Sequence, residues 1–153
     1  ALGTSASVYL EDIQSSNSVS LHVRRGDYVT DSKTNTVHGT CSLDYYKKAI
    51  AQVLETNPNA KIFVFSDDLN WCVQTFGFIQ EVAFVELDES APDCEEMYLM
   101  SQCKHNIIAN SSFSWWGAWL NQNPDTIVLA PKKWFADPSI NTSDLIPESW
   151  IRL

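Results

Sequence analysis

Basic charge is what this sequence has least of: ten Lys and Arg stand against nineteen Asp and Glu, for a formal net charge of -9. A chain this acidic has no electrostatic reason to seek nucleic acid, and no basic stripe interrupts the pattern. Paired cysteine is missing as well. Cys41, Cys72, Cys94 and Cys103 contain no Cys-x-x-Cys pair and no zinc spacing. Reduced thiols and a cytoplasmic location are therefore expected. No apolar run approaches the roughly eighteen residues needed to cross a bilayer, and no secretory leader is visible. Glycine is scarce, at five in 153 residues, while 44% of the chain is hydrophobic and 12% aromatic. Disordered and fibrous classes are thereby excluded. One globular domain, residues 1–153, is the expectation.

Within that domain, apolar runs alternate with amphipathic ones. Val19, Leu21 and Val23 alternate with Ser20, His22 and Arg24, the period of a strand with one buried face. A polar loop from Thr30 to Cys41 follows, long enough to carry function. Ser42 is placed to cap a helix reaching about Glu55, with Leu43, Tyr46, Ile50 and Val53 on one face. Ile62-Phe63-Val64-Phe65 reads as a central parallel strand covered on both sides, and Asp68 as the cap of a short helix holding Trp71. A strand over 82–86 precedes a helix to about Cys103, for which Ser90 and Asp93 resemble a capping pair. Strands over 105–109 and 126–130 bracket a helix from Ser114 to about Asn121, and the tail from Lys132 is irregular. Strand alternating with helix predicts an α/β domain with a doubly wound, mainly parallel Rossmann-like sheet of about five strands.

Such sheets bind ligands outside the carboxyl ends of their strands. Three polar clusters lie at those ends. Arg24-Arg25-Gly26-Asp27 offers two permanent cations suited to phosphate oxygens. Asn110 to Ser114, with Phe113 between serines, opens a helix whose amides and dipole attract anions. The hydroxyls of Ser112 and Ser114 add donors, or Ser114 caps its own helix. Asp67 and Asp68 either accept the paired N–H edge of guanine or cap and solvate a helix. His22 shares a face with Arg24 and either touches a nucleoside or sits satisfied in the core. The tandem Trp115-Trp116 reads first as core packing. Arg25-Gly26-Asp27 also spells an adhesion tripeptide, a reading its place after a strand disfavours. Asn110-Ser111-Ser112 and Asn141-Thr142-Ser143 match the glycosylation pattern by chance spacing.

The segments His22-Val23-Arg24-Arg25-Gly26-Asp27-Tyr28, Phe63 to Trp71 and Asn110 to Ala118 resemble motifs of the α-1,2-fucosyltransferases, in that family's order. Cys41 to Ala49 follows the first motif in the same way. The resemblance implies inverting transfer of L-fucose from GDP-fucose to a galactosyl hydroxyl of a glycan, on a GT-B-like fold and without a required metal or other cofactor. It implies that Arg24 or Arg25 holds the β-phosphate and the Ser112–Ser114 turn the pyrophosphate. His22 and one of Asp67 and Asp68 would read guanosine. Asp27 and His38 are the candidates for general base, although Asp27 equally suits a salt bridge to the arginines. Family members carry an amino-terminal lobe that only some seventeen residues here could represent. The expectation is therefore a donor-binding fragment, feeble or inactive alone, whose competing description is a non-catalytic GDP-sugar-binding module. Apolar surface left without that lobe would favour a homodimer, and the parent enzyme would associate peripherally with membrane.

Overall fold

The chain opens on helix α1 (Thr4–Ser15), enters strand β1 (Ser18–Val23), and turns through two short helices, α2 (Gly26–Thr30) and α3 (Ser32–Val37). Helix α4 (Leu43–Thr56), strand β2 (Lys61–Ser66), helix α5 (Leu69–Phe76) and strand β3 (Val82–Phe84) follow. Helix α6 (Asp93–Gln102), strand β4 (His105–Ile107), helix α7 (Ser112–Trp119), strand β5 (Val128–Ala130) and strand β6 (Ile151–Arg152) complete it. These elements come from a computed structural model that describes residues 1–153, excepting the side chains of Asp27, Thr34, Asn35 and Thr36.

The strands form one sheet in the order β3-β2-β1-β4-β5-β6, every pairing parallel. Strand order reverses between β1 and β4, so the doubly wound prediction holds and the crevice falls between those two strands. The sixth strand is the addition. Its two residues pair with β5, and the Leu153 N–H donates to the Ala130 carbonyl at 3.0 Å.

Strand β1 departs from the one-face reading, because all six of its residues are buried. Val19, Leu21 and Val23 pack with Ile62 and Val64 under α4 and α5. The alternate side of the sheet, carrying Phe63 and Phe65 on β2, lies under α1 and α6 with Ile13, Leu99 and Met100. Ser20 and His22 point to that covered side. Hydrogen bonding makes burial of the serines tolerable: the Asn106 amide donates to the Ser20 hydroxyl at 2.6 Å, and the Ser18 hydroxyl accepts from the Lys104 N–H at 3.2 Å.

Two predicted caps are in place. Ser42 accepts from the Tyr45 N–H at 3.1 Å and Asp68 from the Trp71 N–H at 3.3 Å. The third is not: Pro92 holds the cap position of α6 and no side chain caps that helix. Pro92 is extended at that cap position, and the acidic first turn, Asp93, Glu95 and Glu96, complements the helix dipole without help from Ser90. Likewise α7 starts two residues earlier than expected, with Ser111 as its cap residue. Beside it, a Cβ on Gly117 would lie 3.1 Å from the Met100 Cβ, so glycine permits α7 to approach α6 this closely. All four cysteines are free thiols. No helix among the described residues is long and apolar enough to cross a membrane.

Candidate active site

At the carboxyl end of β1 the two arginines part company, since consecutive residues leave a strand on opposite sides. Arg25 turns toward α5. Its guanidinium carbon lies 4.0 Å from the centre of the Trp71 ring, and its Nε sits 3.5 Å from Asp68. Arg24 turns into the crevice, where its guanidinium stands 5.5 Å from the Tyr28 ring centre and 3.5 Å from Asp67. The Asp67 carboxylate spends both oxygens on the next turn of chain, accepting from the Arg25 and Gly26 N–H groups at 2.9 Å each. A Cβ on Gly26 would come within 2.6 Å of that carboxylate, so the clasp needs glycine.

Beneath Arg24 lies a cavity of about 250 Å³ lined by His22, Arg24, Ser66, Asp67, Asp93, Glu96 and Phe113. His22 is buried, its ring 5.6 Å from that of Phe113. Burial, with Arg24 adding to it, lowers its pKa to about 3, which keeps the imidazole neutral. Its Nδ1 is buried without a hydrogen-bond partner. Burial, then the neighbouring Asp93 and Asp67, pushes the Glu96 carboxyl up to about 7.

Across β4 the turn before α7 is fixed from within. The Asn110 amide donates to the carbonyls of His38, Gly39 and Trp134 at 2.9, 3.0 and 3.0 Å, and its oxygen accepts from the Cys41 thiol at 3.5 Å. A glycan on that buried nitrogen is incompatible with the fold. Ser114 caps nothing: its buried hydroxyl accepts from the Ala109 N–H at 3.1 Å and donates toward the Ser111 carbonyl at 3.3 Å. Ser112 is exposed, and no side chain caps the amides that open α7. Tyr28 bridges the two halves, its hydroxyl donating to the Asn110 carbonyl at 3.3 Å. Beyond it opens a second cavity, of about 480 Å³, lined among others by Tyr28, His38, Ser112, Trp116 and Phe135.

Residues 5–153 match the family model described as glycosyl transferase family 11. The chain belongs to that family. It is 46% identical over 140 residues to the O-antigen biosynthesis glycosyltransferase WbnK of Escherichia coli, covering 92% of this chain and 46% of that protein. It is 43% identical over 145 residues to an alpha-1,2-colitosyltransferase of Escherichia coli, covering 92% and 49%. With the galactoside alpha-(1,2)-fucosyltransferase 1 of Homo sapiens the identity is 30% over 116 residues, covering 73% and 31%. The chain thus spans about half the length, or less, of the relatives it matches. Among solved structures, the fucosyltransferase NodZ from Bradyrhizobium aligns with a TM-score of 0.47 at 20% identity, over 76% of this chain and 42% of that one, a likeness too loose to build on.

Of the residues singled out from sequence in this family 11 chain, His22, Arg24, Asp67 and Phe113 meet in the smaller cavity, and Ser112 lines the larger one. Arg25 and Asp68 form a support behind the crevice, and Ser114 is internal to its turn. Asp27 lies outside the described residues. Glu96 was missed. The available signal was the connection rule: a helix following a parallel strand starts at the sheet's carboxyl edge, which brings the first turn of α6 to that edge, where Asp93 and Glu96 line the cavity.

Proposed function

We propose that this family 11 chain is the donor-binding half of a glycosyltransferase that moves L-fucose from GDP-fucose onto a galactosyl hydroxyl of a glycan with inversion. The single observation that carries the reading is the position of Arg24, at the β1/β4 crossover between a carboxylate-walled cavity and the uncapped start of α7. A nucleoside diphosphate asks for that order of chemistry. The diphosphate lies on the guanidinium and the α7 amides. The base enters the smaller cavity, flanked by Phe113, and presents its paired N–H donors to a carboxylate. With Asp67 committed to the Arg25 and Gly26 amides and Asp68 to Trp71, we give that role to Glu96. His22, neutral and with an unpartnered Nδ1, supplies an acceptor to the same ligand.

The chemistry follows from the leaving group. As the glycosidic bond lengthens, negative charge grows on the β-phosphate, and a cation with oriented amides stabilises that charge more than the ground state. The reading asks no metal of the site. On the far side, the acceptor hydroxyl must lose a proton; of the two candidate bases, His38 lines the larger cavity and the side chain of Asp27 lies outside the described residues.

Calorimetric titration with GDP tests the reading. Arg24→Ala removes a charge-assisted phosphate contact and is expected to weaken binding by about 1.5 to 3 kcal/mol. Equal affinity of wild type and variant overturns the assignment.

A further inference from the structure

We infer that Tyr28 is a positioning residue that acts through Arg24, its ring and hydroxyl together holding the guanidinium beside the start of α7; this rests on the donor-binding reading above.

Two neighbours with opposite demands flank Arg24. Asp67 stands 3.5 Å from its Nη1, with the two side chains 34% and 27% exposed. An ion pair that long and that wet does not by itself fix a flexible arginine. Asp67 also follows β2, across β1 from β4 and α7, so its pull draws the cation away from the α7 amides. Tyr28 offers the opposing hold. The guanidinium carbon lies 5.5 Å from the centre of its ring, inside the roughly 6 Å reach of cation–π attraction.

That ring is anchored on the α7 side of the crevice. Its hydroxyl donates to the Asn110 carbonyl at 3.3 Å, two residues before α7 begins. Asn110 is a firm anchor, because its side-chain amide is bonded to the carbonyls of His38, Gly39 and Trp134. His38 stacks on Tyr28 with ring centres 5.2 Å apart at 12°, and leans in turn on Phe135 at 5.5 Å. The backbone beneath Tyr28 is fixed from the other flank. Asp67 accepts from the Arg25 and Gly26 N–H groups, and the Val29 N–H donates to the Arg25 carbonyl at 2.7 Å. A tyrosine needed only for packing would sit in the core. Tyr28 is half-buried and, among the described residues, lies outside the hydrophobic clusters.

Each part of the side chain thus has its own task. The ring supplies a face for the cation, and the hydroxyl sets that face at a fixed distance from α7. Phenylalanine keeps the first and loses the second. Leucine loses both, and Asp67 then recovers the guanidinium. A diphosphate, which needs the cation and the α7 amides at once, feels the loss; a nucleoside lacks the group that would.

Calorimetric titration of the whole chain with GDP and with guanosine reads the effect as a ratio, the advantage that the diphosphate confers. That ratio is expected to fall about three- to tenfold in Tyr28→Leu, and by less in Tyr28→Phe. In an Arg24→Ala background, Tyr28→Leu should cost less than about a further twofold, because the residue it acts through is gone. A purely structural tyrosine weakens both ligands alike and adds its full loss in the Arg24→Ala background. Either result overturns the positioning role, as does a Tyr28→Leu chain that keeps the wild-type ratio. Should Tyr28→Leu not fold, Tyr28→Phe, alone and combined with Arg24→Ala, decides by the same comparison. Wild type that binds GDP no tighter than guanosine breaks the donor-binding reading itself. A wild-type advantage with additive losses leaves that reading intact and removes Tyr28 alone.

Discussion

On the β2 side of the crevice, five of the seven lining side chains are ionisable: His22, Arg24, Asp67, Asp93 and Glu96. On the β5 side, among the described residues, the lining carries no carboxylate, lysine or arginine. The first half is organised by charge against charge, with Arg24 beside Asp67 and Glu96 beside Asp93 and Asp67. The second is organised by geometry, through one buried asparagine and a stack of rings. The lesson is that a single strand crossover builds two cavities of unlike chemistry from adjacent residues, Ser112 lining one and Phe113 the other.

The most damaging way to break that contrast is on the neutral side. Asn110→Ala leaves the His38, Gly39 and Trp134 carbonyls without their donor, at a cost of about 2 to 4 kcal/mol. Thermal unfolding followed by circular dichroism measures it, and a change under 1 kcal/mol would show that rings alone hold this half (about the weight of one ordinary hydrogen bond).

Next comes the charged side. Glu96→Gln keeps the shape and removes the charge, so GDP affinity should fall by about 1 to 2 kcal/mol with folding intact. Titration with ADP sharpens the point, since adenine offers no paired N–H edge and the variant should bind it no worse than wild type.

A smaller effect separates the two arginines. Arg25→Ala loses the contact with Trp71 and should weaken GDP binding by less than about 1 kcal/mol, well short of Arg24→Ala. Calorimetry giving the two variants equal losses would restore a shared phosphate role.

The subtlest expectation is in pH. Glu96 titrates near 7 in the folded chain against an ordinary 4.5, so between those values the folded state keeps a proton and stability falls as pH rises. His22 titrates near 3 against 6.5, so across that interval the unfolded state keeps the proton and stability rises with pH. Where the windows overlap, from 4.5 to 6.5, the slopes oppose and the wild-type profile is flattened. Urea unfolding across that span should give a rising profile for Glu96→Gln and a falling one for His22→Phe. Profiles identical to wild type in both variants would remove the two groups from the charged half's account.

Much of this was legible before any coordinates. Period-two alternation in β1 and the apolar run of β2 are local signals, as are the caps Ser42 and Asp68. The alternation of strand and helix led to the doubly wound sheet and hence to the crevice. What escaped notice depends on distant partners. Helix α1 has no side-chain cap of its own, and its start is tied down by Glu95 on α6, which accepts from the Gly3 N–H at 2.8 Å. Strand β6 is two residues long and exists only through its pairing with β5. Where the polar composition of Thr30 to Cys41 predicts a loop, the chain after β1 forms α2 and α3, whose few residues carry no helical apolar stripe. Within the site, residue type revealed the cations but not their directions, because Asp67 and Trp71 decide where each guanidinium lies.

Tyr45 and Tyr46 are adjacent on α4, yet their hydroxyls reach three strands. The first lies 2.6 Å from the Ile108 carbonyl after β4 and 3.1 Å from the Leu129 carbonyl on β5, sharing its proton between them; the second donates to the His22 carbonyl on β1 at 3.2 Å. Burial holds both phenols well above their ordinary pKa, which keeps these hydroxyls protonated as donors. Helix α4 is thereby tied to the ends of three strands, β1, β4 and β5. Two neighbouring side chains of one helix thus set the spacing of three strand ends along the rim of the crevice.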